Sequence, residues 1–309
     1  RVAKTELEFK TTRDGPAQGG AGADEGEQSE TPVTPKVGIS YQINSDNLIY
    51  ANATKGFRIG GVNRAIPTNA TCAADLALVG LTQAPTTYDS DSVWSYEAGA
   101  KSRLFGGRMR MAASAYHIKW ENIIQPVNLP NCGFAFTSNL GSATVNGFDL
   151  QVEGQPVDGL TLSAAVGYNE GEFDETITAG PTNIVTEGYT LGGSPWVVTL
   201  SAQYDFVGPM GLDSYVRADY NYRSQNKGLS GTFDPASINY DPHIARNPST
   251  EDLRLRAGVK TDTLDLSVFV NNATNESDTL GVNHVTVYGQ IFNANPVRPI
   301  TAGMTPGYR

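Results

Sequence analysis

The three histidines, His117, His243 and His284, are the side chains of this sequence best suited to acid–base or metal chemistry, and they fall in separate segments. Protein zinc sites draw on ligands in closely spaced pairs, and no such spacing is present, so neither a metal site nor a catalytic set is read from them. Asp89 and Asp91, alternating with Ser90 and Ser92, carry part of a calcium-loop pattern but lack its central glycine and distal glutamate. A cap at the entry of a strand is expected there. Asp24, Glu25, Glu27 and Glu30 gather in a stretch that reads as a solvated acidic loop. Asn52-Ala53-Thr54, Asn69-Ala70-Thr71, Asn272-Ala273-Thr274 and Asn275-Glu276-Ser277 match the N-glycosylation triplet, a pattern too short to carry weight alone. No glycine-rich loop follows a strand and opens a helix, and the Gly-Gly pairs sit at turns. The chain is therefore read as having no catalytic residues, no metal and no cofactor, and as not being an enzyme.

Cys72 and Cys132 each lie in a long polar connection containing Gly and Pro. In an oxidising compartment they could bridge two neighbouring loops, and otherwise they are two unpaired thiols. The topology below puts both loops on one side of the sheet. The Cα separation decides between the two.

The elements that carry these residues alternate in polarity. In 195–206, Trp196, Val198, Leu200, Ala202, Tyr204 and Phe206 fall on one side of a strand, and Thr199, Ser201, Gln203 and Asp205 on the other. Strands of this kind are expected near 2–11, 33–43, 48–57, 92–105, 108–120, 143–154, 160–171, 196–206, 214–223, 253–260, 264–272 and 297–308. Their connections alternate. Tight turns rich in Gly, Pro, Asp and Asn (44–46, 106–107, 156–158, 207–211, 261–263) are interleaved with long ones at 12–32, 58–91, 121–142, 172–195, 224–251 and 273–296. Short turns on one rim and long loops on the other are the anatomy of an outer-membrane barrel.

That anatomy fixes two faces. Toward lipid are assigned Val37, Ile39, Tyr41 and Ile43; Met109, Met111, Ala113 and Ala115; Phe148, Leu150 and Val152; Leu160, Leu162, Ala164 and Val166; Leu253, Leu255, Ala257 and Val259; and Leu264, Leu266, Val268 and Val270. Inward are assigned Lys36, Ser40 and Gln42; Arg108 and Arg110; Asp149, Gln151 and Glu153; Thr161 and Ser163; Arg254, Arg256 and Lys260; and Asp265, Ser267 and Asn271. A lipid-facing Arg or Lys at the bilayer midplane costs about 2–4 kcal/mol, which forbids the reverse assignment. Trp94, Tyr116, Trp120, Tyr168 and Trp196 are expected as an aromatic belt toward the long-loop rim, and Tyr41, Tyr204 and Phe206 toward the other.

Bulk properties agree. A mean hydropathy of -0.30 is no objection to a barrel, because only alternate strand residues touch lipid. No run of about 18 apolar residues exists, which excludes helical spanning. The formal net charge of -10 argues against a nucleic-acid partner. The chain opens at Arg1 in what reads as the body of a strand, as a piece of a longer protein would.

Particular segments resemble the barrel domain of TonB-dependent outer-membrane receptors. They are Lys55-Gly56-Phe57-Arg58-Ile59-Gly60-Gly61-Val62-Asn63 after Leu48-Ile49-Tyr50-Ala51, Trp94-Ser95-Tyr96-Glu97-Ala98-Gly99-Ala100-Lys101-Ser102 before Phe105-Gly106-Gly107-Arg108, Asn146-Gly147-Phe148-Asp149, and Phe269-Val270-Asn271-Asn272-Ala273-Thr274-Asn275. The resemblance implies an all-β fold, an antiparallel transmembrane β-barrel, with residues 1–309 forming about the last twelve strands of a barrel of about 22, and with the plug domain and TonB-binding segment absent. It implies the outer membrane of a Gram-negative bacterium, with the long loops extracellular. The implied partners are outer-membrane lipid, TonB through the missing N-terminal plug region, and a small-molecule or metal-chelate ligand. The function implied is TonB-energised uptake of a scarce solute such as siderophore-iron, cobalamin or an oligosaccharide. Loop residues around Arg58, Arg64, Tyr88, Trp120 and Phe134 are the candidates to meet that ligand, though no binding set is assigned among them. Barrels of the family usually end on an aromatic, whereas this chain ends Tyr308-Arg309, and Pro306 sits awkwardly in a strand. The alternative from the same pattern is a self-contained passive porin of about twelve strands; a soluble all-β binding protein is the remaining class.

Overall fold

The computed structural model describes residues 1–14, 22–129, 131–228, 230–237, 240–242, 244–277, 283–287, 290–294 and 301–308. Its body is one antiparallel sheet of eleven strands in strict sequence order. The strands are β1 (Lys36–Asn44), β2 (Asn47–Arg58), β3 (Asp91–Leu104), β4 (Met109–Glu121), β5 (Ser142–Val157), β6 (Leu160–Phe173), β7 (Trp196–Val207), β8 (Asp213–Arg223), β9 (Thr250–Lys260), β10 (Leu264–Asn271) and β11 (Thr301–Tyr308). Among the described residues β1 and β11 are the two ends and do not pair with each other, so this is an open wall. A self-contained closed barrel is not what the sheet forms.

The tight turns hold for local reasons. The Asn44 side chain accepts bonds from the Asp46 amide (2.9 Å) and the Asn47 side chain (2.9 Å), closing the β1–β2 turn. Between β3 and β4, Phe105, Gly106 and Gly107 all take positive φ (55°, 66° and 87°), and the two glycines make that run of left-handed residues affordable to the chain.

Register turns the alternation of single strands into continuous faces, because directly opposed residues of a ladder share a side. One row runs Ile39, Ala51, Ala98, Ala115, Phe148, Tyr168, Trp196 across seven strands. Further along, Leu160, Tyr204, Val216, Ala257 and Val268 continue the apolar side. On the other side runs Arg103, Arg110, Glu153, Ser163, Ser201, Asp219, Arg254. The apolar side is bare: Ile39 is 73% exposed, Val268 50% and Leu200 41%. A continuous apolar surface of this extent is foreign to soluble monomers. On the polar side, Tyr50 and Tyr116 lie over their opposed partners Gly99 and Gly147. A Cβ on Gly99 would stand 2.6 Å from the Tyr50 ring, so these glycines are what let the rings lie against the sheet.

Two expectations need correction. Thr5–Arg13, expected as the first wall strand, leaves the wall and pairs with Gly22–Glu30, which lies within the loop expected at 12–32. The wall therefore has eleven strands where twelve were expected. Asp, Glu and Gly are poor strand formers, so GADEGEQSE gave no strand signal, yet the backbone ladder and ion pairs such as Lys10–Glu25 suffice for a hairpin. The Val2–Val33 bridge carries the same antiparallel pairing on to the hairpin's base, just before β1. Secondly, Tyr116 and Trp120 face the polar side: residues 109, 111, 113 and 115 share the apolar side of β4, which sends 116 and 120 the other way. Trp94, Tyr168 and Trp196 remain on the apolar side, with Tyr168–Trp196 and Phe148–Trp196 ring centroids 4.8 and 5.7 Å apart. Of the last expected strand, 297–308, Thr301–Tyr308 is seen as a strand, and positions 297–300 lie outside the described residues. Pro306 stands opposite Leu266, and the ladder keeps its register on both sides of the proline.

Candidate ligand-facing layer at the long-loop rim

β5 has 16 residues and β6 has 14, while about 9–11 suffice to cross a bilayer. The surplus projects on the long-loop side and carries a folded layer. Connection 58–91 contains helix α1 (Ala70–Leu78), opened by Asn69, whose side chain accepts the Cys72 amide at 2.8 Å, and followed by Gly80 at φ 73°. Connection 121–142 folds into a hairpin of Ile124–Leu129 and Phe134–Asn139. Connection 172–195 holds Ile177–Ala179 paired with Thr182–Val185.

These loops have the compact core that the wall lacks. Ile66, Leu76 and Val79 of the first connection pack with Val127, Leu129 and Phe136 of the second. Ile123, Ala143, Phe173 and Val185 form a second cluster where the loops meet the strand ends. Cys72 and Cys132 are joined as a disulfide with Cα atoms 4.7 Å apart, linking α1 to the hairpin. Beside it Asp75, 1% exposed, accepts from the amides of Asn131 (2.9 Å) and Cys132 (2.8 Å) and from the Asn131 side chain (2.8 Å). Burial alone pushes this carboxyl up; the three donors outweigh it and hold it below the ordinary aspartate value of 3.8.

Asp91 is the second anchor. It stands at the loop end of β3, beyond the Trp94 level, and is 1% exposed. It takes Arg58 Nε on both oxygens (2.9 and 3.1 Å), the Trp120 indole (2.9 Å) and the Ile124 amide (3.2 Å). The Arg58 guanidinium lies 4.7 Å from the Trp120 ring centroid. Burial again opposes ionisation, and Arg58, the Ile124 amide and the Trp120 indole overcome it, so the carboxyl sits below its ordinary range. Asn63, 8% exposed, ties the same loops by bonding Thr137 through its amide (2.6 Å) and carbonyl (2.7 Å) and Pro85 through its carbonyl (3.0 Å).

The loop residues singled out in the sequence therefore divide. Arg58 and Trp120 meet, but on Asp91, as part of the scaffold. Phe134 packs against the first loop cluster, and Tyr88, in the short strand Thr87–Tyr88, covers Gly61. Arg64 is exposed and lines a cavity of about 820 Å³ between the acidic hairpin (Phe9, Glu25, Glu27) and the first connection (Thr68, Gln83, Thr86). The other candidates resolve simply. Asp89 exchanges backbone bonds with the Asn139 side chain (2.7 and 2.8 Å), and no cluster of metal-ligating side chains occurs among the described residues. His117 bonds Asn146 at 2.8 Å, His243 lies outside the described residues, and His284 lies in the strand Asn283–Val287. Asn69 and Asn272 of the glycosylation triplets are structural: one caps α1, and the other, fully buried at φ 53°, bonds both the amide and carbonyl of Glu276 (2.9 Å each). Asp75, Asn63 and Asn139 were missed; the Asn69 cap and Gly80 stop were the available signal for α1.

Comparison with known proteins gives this geometry a family. A family description reading "TonB dependent receptor-like, beta-barrel" matches residues 7–273. The chain belongs to the TonB-dependent receptor family. Its wall is thus part of an outer-membrane β-barrel, with the apolar side toward lipid. The metal-pseudopaline receptor CntO of Pseudomonas aeruginosa is 31% identical over 156 residues, half of this chain and 19% of CntO. The ferric-pyoverdine M114 receptor PbuA of Pseudomonas sp. strain M114 is 26% identical over 158 residues, 51% of this chain and 17% of PbuA. The chain thus covers less than a fifth of these relatives. In fold it is similar to the ferric yersiniabactin uptake receptor FyuA of Yersinia pestis (TM-score 0.66, 14% identity, 98% of this chain and 40% of FyuA). The ferric-catecholate import receptor Fiu of E. coli gives 0.62 at 14% identity, covering 98% of this chain and 41% of Fiu.

Proposed function

We propose that the protein containing this chain takes up a metal chelate of the siderophore class across the outer membrane, by capture in the loop layer followed by TonB-driven passage. The observation that carries this reading is that the long connections fold into a packed, disulfide-linked layer on one rim, built to present a surface. A passive pore needs an unobstructed mouth. The relatives CntO and PbuA are receptors for metal–pseudopaline and ferric pyoverdine, which favours a metal chelate over cobalamin or an oligosaccharide. The cavity walled by Arg64, Thr68, Gln83, Glu25 and Glu27 is the proposed first contact, since it offers donors and acceptors together to a polar, multiply charged complex. The whole of residues 1–309 serves as barrel wall and loops. The plug and the TonB-contacting segment are proposed to be supplied by the parts of the full-length protein that these residues do not cover, consistent with the 40% share of FyuA. No covalent step belongs to this mechanism.

The test is binding and uptake by the full-length receptor. A deletion strain is expected to lose TonB-dependent growth on one class of metal chelate, and Arg64→Ala is expected to weaken binding of that chelate to the purified receptor. Large, steady single-channel conductance without chelate binding would overturn the proposal in favour of the porin.

A further inference from the structure

The lipid-facing side of β2–β4 carries two cations where the alternation calls for apolar residues. Lys55, Trp94 and Lys119 are direct ladder partners, so all three share the face of Ala51, Ala98 and Ala115. Neighbouring strands are about 4.8 Å apart, which sets the two lysine Cα atoms about 10 Å apart with the indole between them. Neither lysine has an ion pair among the described residues. The outward acids nearby are Glu121, two residues beyond Lys119, Glu172, two strands away in the Lys119 row through Thr144, and Glu170, in the next row through Asn146 and paired with Lys227.

Below this row the face becomes an apolar trough. Trp94 stacks on Tyr96 (6.0 Å, 11°), and Tyr96 meets His117 at 6.4 Å. Beneath them lies a groove of about 640 Å³ floored by Ala51, Ala53, Ala98 and Ala115 and edged by Val37 and Ile39. Cations over an aromatic step over a trough of methyl groups match a ligand with anionic oxygens at one end and hydrocarbon at the other. The height is right as well: charge facing lipid is costly at the midplane and tolerated near the interface, and the tryptophan marks the interface.

We infer that Lys55 and Lys119 bind the phosphate groups of a phosphorylated, acylated lipid of the outer leaflet, with one acyl chain lying in the alanine trough. The site is independent of the uptake reading, since it lies on the outside of the wall and no solute passes it. Its role is to seat the receptor at a fixed depth.

The full-length receptor, in nanodiscs containing lipopolysaccharide with intact phosphates, is the sample, and native mass spectrometry of retained lipid is the readout. A basic residue at an anionic surface contributes about five-fold, so Lys55→Gln with Lys119→Gln is expected to lower occupancy about 30-fold. Lys36→Gln, the same charge change on the polar side, is expected to leave it unchanged. Dephosphorylated lipopolysaccharide on the wild-type receptor is expected to show the same loss, which keeps the test valid even if the double variant assembles poorly. Ala98→Leu, filling the trough, is expected to reduce retention with both lysines present. Equal retention by the double variant, equal retention of dephosphorylated lipid, or displacement by inorganic phosphate alone would each overturn the inference.

Discussion

Replacing Asp91 with alanine is expected to release the loop layer while leaving the wall assembled. The side chain is 1% exposed and accepts from Arg58, the Trp120 indole and the Ile124 amide. Removing one member of a buried ion pair costs about 3–5 kcal/mol, but the Arg58 side chain is 52% exposed and regains water, which lowers its share. The indole and amide lose their acceptor, at about 1–3 kcal/mol for a buried group left unsatisfied. Together the loss at this anchor is about 2–3 kcal/mol, or about 30- to 150-fold in the local opening equilibrium. Hydrogen exchange on the full-length receptor in detergent reads this directly. Peptides from 58–91 and 121–142 should lose protection by that factor, while peptides from β6–β8 keep theirs. Asp91→Asn, which keeps one acceptor oxygen, should fall between. Unchanged protection of both loops in the alanine variant would refute the assignment of Asp91 as their anchor.

Two further outcomes bear on the same layer. Cys72→Ser with Cys132→Ser opens a crosslink of sequence separation 60, for which chain entropy gives about 2–4 kcal/mol; exchange in α1 and in Ile124–Leu129 should quicken, and an unchanged rate would show that packing alone holds the loops. Asp75 and Asp91 both have carboxyls held below the ordinary value of 3.8. The stability they contribute is complete above the unfolded-chain value and drains away as the pH falls through the lower folded values. Loop protection should thus be flat from neutrality down to about pH 5 and decline below about pH 4; a decline centred near pH 6 would point to another group.

The wall was legible because its signal is strictly local. In 198–206 the period of two is unbroken, and a one-residue slip of β9 would put Arg254 and Arg256 into lipid. The alternation of turn lengths carried the topology, and the ladder joined each strand to its neighbour as expected. Tyr116 and Trp120 lie near a strand end, as interface aromatics do, but parity with 109, 111, 113 and 115 fixes them on the polar side. The first hairpin was hidden because GADEGEQSE has the composition of a loop, and pairing between backbones leaves little mark on composition. Of the loop layer, the two cysteines, a strand-entry cap at Asp91 and a set of loop residues that includes Arg58 and Trp120 were visible, but not how they meet. Its anchors are Asp75, Asp91 and Asn63, whose meaning depends on partners 33 to 74 residues away, and no local pattern reports such contacts.

The apolar side of the wall meets hydrocarbon, and adjacent residues of β7 test this most directly. Leu200 opposes Ala164 and Tyr220 on the apolar side; Thr199 opposes Ala165 and Asn221 on the polar side. In the full-length receptor, folding stability and heat-modifiable mobility should show Leu200→Arg losing about 2–4 kcal/mol, with Thr199→Arg within about 1 kcal/mol of the parent. Equal losses, or the larger loss at Thr199, would contradict a wall with lipid on its apolar side.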